Sequence, residues 1–252
     1  MTDILAKFSL AGKNALIVCP ENPFGAEIAA GLASAGAKIW LAGLKEPDFL
    51  HEGFFPYDHG SAEAAAALEK AVRAALPCLD IVVENGLFPP AADNVPDFAS
   101  IHARLRATHL GMMLTVQALG HILAEQGHGS VILVTGYGAL VGYDPQNAAA
   151  CPGEAPSEAT LLEGFALGGA VNYARQASNW LAEHGCRCNA LAFAPPEGGV
   201  PDAFREAFVR HSQTGRLTAP EDAAAAAVFL ASDASAFITG VMLPVDGGYT
   251  AK

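Results

Sequence analysis

The chain has 252 residues, of which 52% are hydrophobic and only 16% are charged, and its formal net charge is −12. This length fits one α/β domain with a full core, whereas the acidic balance argues against a nucleic-acid or anionic-membrane surface, since either would need clustered Lys and Arg. A surface so poor in charge predicts that another subunit covers part of it, because interface cores are depleted in charged residues.

The N-terminal segment "MTDILAKFSLAGKNALIV" lacks a basic stretch followed by a sustained apolar run. No later segment is apolar for the roughly 20 residues that a membrane-spanning helix needs. The cysteines are scattered: Cys19, Cys78, Cys151, Cys186 and Cys188. Cys186 and Cys188 fall in an apparent buried strand without a neighbouring His/Cys set, which favours reduced core thiols over a metal site. We therefore expect a cytoplasmic protein that holds no metal.

Strand and helix patterns alternate along the whole chain. The predicted strands are Ala15–Cys19, Lys38–Leu41, Phe54–Tyr57, Asp80–Val83, Val131–Thr135, Cys188–Phe193 and Val241–Leu243. The predicted helices are Phe24–Ala35, Ser61–Leu76, Asp97–Ala124, Leu161–His184 and Pro220–Ala231. Short apolar strands alternating with helices indicate a parallel sheet covered on both faces. Since no linker or repeat interrupts the pattern, residues 1–252 are predicted to form a single domain.

The segment from Ala15 to Gly43 reads as a βαβ unit, which normally holds a dinucleotide on a glycine-rich turn. Here the turn is "CPENPFG", with two prolines and one glycine. Proline offers no backbone N–H to a phosphate, and only glycine lets the backbone approach one closely. The sequence thus predicts the cradle without its usual ligand contacts.

The C-terminal region carries several spaced motifs, namely Arg216 followed by "PED", "FLASD", "ITG" and "VDGG". Together with Asp58 after the third strand, "LDIVVENG", "GSVILVTGYGALVG" and "HGCRCNALAFAP", they resemble the short-chain dehydrogenase/reductase family over essentially the whole chain. The resemblance implies a Rossmann-like, doubly wound parallel sheet of about seven strands.

The catalytic positions of that family have all changed. The family uses a Tyr-x-x-x-Lys pair on one helix face, where the ammonium lowers the pKa of the phenol, together with a Ser and an Asn. On the resemblance, Glu163 stands at the Tyr position, Leu167 at the Lys position, Gly136 at the Ser position beside Thr135, and Thr108 at the Asn position. The chain has no lysine between residues 70 and 252, so the pair is absent under any alignment.

The cofactor positions of the family have changed as well. Cys19 and Pro23 replace glycines of the turn, and Gly43 replaces the residue that would read the ribose. Glu84 replaces an Asn and adds a negative charge near the cleft, while Asn85 is kept and can brace the sheet. We expect that this chain binds no cofactor. The long stretch 137–162, which contains Tyr137 and Tyr143, is expected to be an irregular insertion over the former active-site mouth.

One helix face points to assembly. Phe165, Gly169, Asn172, Gln176 and Trp180 recur at spacings of three and four along Leu161–His184 and form a charge-free stripe. In the family this helix and the preceding one, Asp97–Ala124, form the subunit interface. A charge-free stripe with two large aromatics suits a packed contact, although an ordinary half-exposed helix face would read similarly.

These observations predict a non-catalytic member of the family that acts as a structural subunit. It is similar to the inactive subunits of hydroxyacyl-CoA dehydrogenases in anaerobic aromatic degradation. The resemblance implies a heterodimer or heterotetramer with a catalytically competent short-chain dehydrogenase paralogue, which would carry the NAD. Two alternatives stay open: a cofactor-independent lyase or hydrolase that uses Glu163 or Thr135, and a sensor that binds a CoA-like or nucleotide ligand.

Overall fold

The computed structural model describes residues 3–87, 98–142, 144, 158–198 and 200–251, without the side chains of residues 98 and 158–163. Its sheet consists of β1 (Asn14–Val18), β2 (Lys38–Gly43), β3 (Gly53–Pro56), β4 (Ile81–Glu84), β5 (Gly129–Gly136), β6 (Cys186–Phe193) and β7 (Met242–Val245). The strands are all parallel and lie in the order β3-β2-β1-β4-β5-β6-β7. This is the doubly wound architecture that the alternating pattern predicted.

The helices lie on both faces of the sheet. They are α1 (Gly25–Ser34), α2 (Ala62–Ala75), α3 (Phe98–Leu105), α4 (Gly111–Gln126), α5 (Glu158–Ala182), α6 (Asp202–His211) and α7 (Pro220–Ala231). One core, which includes Leu119 and Leu181, packs α2, α4 and α5 against the sheet, and a second, which includes Ile28 and Leu230, packs α1 and α7 against the other face. Strands covered on both faces are predominantly apolar, as β1 shows with five buried residues of which four, Ala15 to Val18, are apolar.

The predicted strands are all confirmed, with ends that differ by at most two residues. The predicted helix over Asp97–Ala124 is wrong in one respect, because a π-helical segment at Arg106–Leu110 separates α3 from α4. Such π-helical turns are rare and frequently mark functional sites. Helix α6 was not predicted at all.

The two cysteines of β6 are buried, as predicted. Cys186 and Cys188 are 2% and 0% exposed, and burial raises their thiol pKa values to about 11 and about 12. The four cysteines in the described part of the chain form no disulfide. No helix in that part is both long and apolar enough to cross a membrane.

Candidate functional site

The turn after β1 adopts left-handed backbone conformations at two residues that are not glycine. Cys19 and Phe24 both have left-handed backbone conformations, with φ of 53° and 68°. A non-glycine residue pays about 1–2 kcal/mol for such a conformation, so the surroundings must hold it. The Asn85 amide does so by donating to the carbonyl oxygens of Cys19, Asn22 and Pro23 at 3.2, 3.4 and 3.1 Å. The retained Asn85 is therefore a brace of this turn, as the sequence allowed.

The end of β2 is covered by an acidic side chain from the same turn. Leu44 N–H donates to Glu21 Oε1 at 3.5 Å, and a Cβ added at Gly43 would lie 2.6 Å from Glu21 Oε2. Glu21 thus occupies the space that a side chain at position 43 would need. A carboxylate therefore lies at the end of β2, but it comes from Glu21 of the turn and not from position 43.

Glu84 at the end of β4 is fully buried and pairs with a histidine that the sequence did not single out. His59 Nε2 lies 2.9 Å from Glu84 Oε1, and the side-chain exposures are 8% and 0%. Gly86 N–H also donates to Glu84 Oε1, at 2.8 Å, whereas Glu84 Oε2 has no hydrogen-bond partner among the described residues. Burial by itself disfavours the imidazolium, but the Glu84 carboxylate outweighs it and raises the pKa of His59.

The His59 ring connects three elements and is accommodated by two glycines. Its Nδ1–H donates to the carbonyl oxygen of Ala107 in the π-helical segment, while Nε2 faces β4. A Cβ at Gly86 or at Gly111 would collide with the imidazole ring. The ring consequently ties together the residues after β3, the end of β4 and the start of α4. A signal was present in the sequence, since His59 directly follows Asp58 at the carboxyl edge of the sheet.

The residues predicted to stand at the family's catalytic positions have apolar side chains or hydroxyls that donate to backbone carbonyls. Leu167, predicted at the lysine position, is 4% exposed and belongs to the core beneath α5. Thr135 is fully buried and its hydroxyl donates to the Leu167 carbonyl oxygen at 3.4 Å, and the Thr108 hydroxyl donates to the Arg104 carbonyl oxygen at 2.8 Å. Glu163 lies in α5, and its side chain is outside the described residues. Gly136, the last residue of β5, offers no side chain.

The start of the predicted insertion packs inward. Tyr137 makes edge-on ring contacts with Phe208 of α6 and with Tyr249, at centroid distances of 5.2 and 5.1 Å. Phe208 stacks on Tyr249 at 4.2 Å. This aromatic cluster packs α6 against Tyr137 and Tyr249, and the role of Tyr137 as a cover of the cleft stays a prediction. Tyr143 and residues 145–157 lie outside the described residues, so the rest of the insertion stays a prediction.

The predicted stripe lies on the outer surface of α5. Phe165 is 65% exposed, and Asn172 and Gln176 are exposed as well. Gly169 and Trp180 pack partly inside the subunit: Gly169 lies against His109 Nε2, and the Trp180 ring lies over Gly120. The stripe is therefore a surface at its middle and at Phe165, and its role as an interface remains a prediction.

The end of the π-helical segment and the start of α4 add further exposed apolar side chains beside α5. Leu110 and Met113 are 42% and 48% exposed. The Tyr173 hydroxyl donates to the Met113 carbonyl oxygen at 3.5 Å, and His121 contacts Trp180 edge-on at 5.6 Å, so the two helices lie side by side. We call this surface the helix-pair face. It consists of Leu110, Met113, His121, Phe165, Gly169, Asn172, Gln176 and Trp180.

Comparison with known proteins agrees with this architecture. A family model described as enoyl-(acyl carrier protein) reductase matches residues 19–250. The 2-dehydro-3-deoxy-D-gluconate 5-dehydrogenase of Pseudoalteromonas atlantica is 31% identical, covering 99% of this chain and 100% of that protein. The D-threitol dehydrogenase of Mycolicibacterium smegmatis is 32% identical over 97% of this chain and 95% of that protein.

Two further matches are informative in a narrower sense. The cis-4-hydroxycyclohexanecarboxylate dehydrogenase of Sinomonas cyclohexanicum is 42% identical, but only over 34% of this chain and 36% of that protein. A gluconate 5-dehydrogenase structure from Burkholderia cenocepacia, in complex with NADP and tartrate, superposes with a TM-score of 0.83 at 23% identity, covering 98% of this chain and 99% of that one. The latter likeness shows the fold alone. From the family model and the full-length relatives, the chain belongs to the short-chain dehydrogenase/reductase family.

Proposed function

We propose that this chain is a non-catalytic, structural subunit of a hetero-oligomeric NAD-dependent short-chain dehydrogenase. The observation that carries the proposal is Leu167, a buried apolar side chain at the position of the family's lysine. In the family, the ammonium of this lysine lowers the pKa of the catalytic phenol and holds the nicotinamide ribose. The Leu167 side chain can do neither. Thr135 does not replace the lost groups, because its hydroxyl is buried and already donates to a backbone carbonyl.

The cofactor turn supports the same proposal. Pro23 has no N–H for a pyrophosphate, and Cys19 places a side chain where the family has glycine. The buried Glu84 is paired with His59 at 2.9 Å, so this pair, rather than the family's asparagine, lies at the end of β4. The residues present thus do not fit a dinucleotide, and in this proposal the NAD is bound by the partner.

The proposed partner is a catalytically competent paralogue that retains Tyr-x-x-x-Lys, and it would dock on the helix-pair face. That face exposes the apolar side chains of Phe165, Leu110 and Met113. Burying these exposed apolar side chains between the two chains favours the complex. Because only the folded partner binds, the complex in turn stabilises the partner's folded state. The proposed substrate of the complex is a hydroxyacyl-CoA such as 2-[hydroxy(phenyl)methyl]succinyl-CoA of anaerobic toluene degradation, which rests on the similarity to the inactive subunit of that dehydrogenase.

Native mass spectrometry of the protein isolated from its source cells tests the proposal. We expect a defined complex with a second short-chain dehydrogenase. In a separate activity assay of that complex, replacing the partner's catalytic tyrosine should abolish dehydrogenase activity, whereas Glu163→Gln and Thr135→Val in this chain should not. Phe165→Glu should dissociate the complex, whereas Leu50→Glu should not, because Leu50 is 91% exposed in the loop between β2 and β3. A homo-oligomer without partner, or activity lost in Glu163→Gln, would contradict the proposal.

A second candidate function, ligand sensing, is favoured by Glu21. Its carboxylate lies over Gly43, near where an acidic side chain of the family would accept hydrogen bonds from a ribose. A nucleoside or CoA-like ligand could use that carboxylate without the pyrophosphate contacts. Thermal shifts with adenosine and with coenzyme A, compared between the unaltered chain and Glu21→Gln, distinguish the two functions, since the structural subunit should show none.

A further inference from the structure

Three side chains with metal-binding atoms meet at the N-terminal ends of β4 and β5, on the opposite side of the sheet from the cleft at the C-terminal ends of the strands. Cys78 and Asp80 directly precede β4, and His128 directly precedes β5. Cys78 Sγ lies 3.4 Å from His128 Nε2 and 3.6 Å from Asp80 Oδ1, and His128 Nε2 lies 3.4 Å from Asp80 Oδ1. The three atoms therefore form a nearly equilateral triangle.

The size of this triangle matches one face of a tetrahedral coordination sphere. With bonds of about 2.3 Å to sulfur and about 2.0–2.1 Å to nitrogen and oxygen, tetrahedral Zn²⁺ holds its ligand atoms about 3.3–3.6 Å apart. The three separations fall within that interval. Thiolate, imidazole and carboxylate are also the ligand types that Zn²⁺ and similar borderline ions prefer.

Hydrogen bonds behind the triangle orient two of the ligands. His128 Nδ1 lies 3.2 Å from the carbonyl oxygen of Gln126, which can only accept, so Nδ1 carries a proton and Nε2 is the nitrogen left to bind an ion. Asp80 Oδ2 accepts from the N–H of Asn14 at 2.8 Å, which turns Oδ1 toward the triangle. Metal-bound histidines and carboxylates are typically fixed by such outer hydrogen bonds.

The backbone that carries the three ligands is also fixed. The Gln126 amide bonds both polar groups of Leu79, accepting from its N–H at 3.0 Å and donating to its carbonyl oxygen at 2.6 Å. Asp80 N–H donates to the Asn14 carbonyl oxygen at 3.0 Å, and Ser130 N–H donates to the Asp80 carbonyl oxygen at 2.9 Å. The ligands are thus placed before any ion arrives, which favours binding because little ordering is left to do.

The arrangement does not suit nucleophilic catalysis. In a Cys-His-Asp triad the carboxylate holds the ring nitrogen that faces away from the sulfur. Here Asp80 Oδ1 and Cys78 Sγ both approach the same nitrogen, Nε2 of His128. Because the nitrogen, the carboxylate oxygen and the sulfur all face one another, the arrangement fits a cation site better than a proton relay.

We propose that Cys78, Asp80 and His128 form a three-ligand site for Zn²⁺ or a similar divalent transition-metal ion, with a fourth position open to water or to a side chain of another subunit. On binding, the ion replaces the thiol proton of Cys78, which leaves to solvent. The site would pin the turn before β4 to the turn before β5. It lies at the opposite end of the strands from the cleft and is independent of the structural-subunit proposal.

Cobalt titration of the chelator-treated, untagged protein tests the site. We expect one equivalent of Co²⁺ to produce a thiolate-to-cobalt charge-transfer band and tetrahedral d–d bands that Zn²⁺ abolishes. Cys78→Ser should remove the charge-transfer band, and His128→Gln should weaken Co²⁺ binding at least about tenfold, on the scale of losses seen for metal-site residues. The control His184→Gln, an exposed histidine beside β6, should bind as the unaltered chain does.

The proposal is wrong if Co²⁺ gives no thiolate band, or if Cys78→Ser and His128→Gln bind Co²⁺ as well as the control. Should Cys78→Ser fail to fold, His128→Gln still decides, because the His128 side chain is 54% exposed and its loss leaves no cavity. A melting temperature that rises with Zn²⁺ in the control but not in His128→Gln gives a second readout, since an ion that binds only the folded state stabilises it.

Discussion

Replacing His59 by leucine should destabilise the protein strongly, because it leaves the Glu84 carboxylate buried without its cation. Glu84 is fully buried, and His59 supplies its charged partner at 2.9 Å. Removing one partner of a buried ion pair costs about 3–5 kcal/mol. For a chain of this size each kcal/mol lowers the melting temperature by about 2–4 °C, so we expect a fall of about 6–20 °C. Calorimetry or thermal denaturation followed by circular dichroism measures it.

Altering the other member of the pair, by Glu84→Gln, should reduce the free energy of unfolding by less than His59→Leu does. An amide oxygen in the place of Glu84 Oε1 can still accept from Gly86 N–H and from an Nε2–H of His59, so no buried carboxylate is left without a partner. The double variant His59→Leu/Glu84→Gln should lose less stability than the sum of the two singles, as residues in direct contact do. If His59→Leu melts within about 2 °C of the unaltered chain, or the effects add, the buried-pair reasoning is refuted.

The same pair predicts the sign of a pH dependence. Since the pKa of His59 is raised in the folded state, the folded chain binds more protons than the unfolded one above pH of about 6.5. The contribution to stability is fully present below that unfolded value and is lost as the pH rises through the raised folded value. Glu84→Gln should abolish this loss, which urea unfolding at a series of pH values would show.

Five further substitutions, at four positions, test the packing around the cleft and at helices, each by urea unfolding. Leu167→Lys should cost about 3–5 kcal/mol, since it buries an ammonium without a partner, whereas Leu167→Met should cost less than about 1.5 kcal/mol. Gly25→Ala should cost about 1–3 kcal/mol because its Cβ would collide with the Pro20 carbonyl, while Gly164→Ala, with open space around it on α5, should stabilise by about 0.5–1 kcal/mol. Ser61→Ala removes the side-chain cap of α2 and should cost about 0.5–2 kcal/mol at an unchanged m-value.

The sheet could be predicted from the sequence because its strands carry an unambiguous signal. Each contains a short, mainly apolar run, and β1 and β4 are buried throughout. Helix α6 escaped prediction because only a few of its residues are buried, among them Phe204 and Phe208, and these pack on Tyr137 and Tyr249, far away in sequence. The π-helical segment escaped for a similar reason, since no local pattern announces an extra residue in a helix.

Sequence reasoning could address the candidate site only where the presence or absence of a single residue type carried the argument. The absent lysine and the prolines of the first turn are visible in the sequence alone. The partner of Glu84 and the group at Cys78, Asp80 and His128 needed knowledge of which strands are neighbours. Once β4 is placed beside β5, residues just before the two strands must lie close together, so the topology, rather than any motif, brings Cys78 near His128.

The changes in the cleft depend on one another, and this argues that the cleft was rebuilt rather than left to decay. Glu84 would be an isolated buried charge without His59, and the His59 ring would not fit if either Gly86 or Gly111 carried a side chain. Restoring the family's asparagine at position 84 alone would strand His59 and would not restore a cofactor site. Under the structural-subunit proposal, the chain needs such a filled, stable interior, because an emptied pocket would leave buried polar groups unpaired.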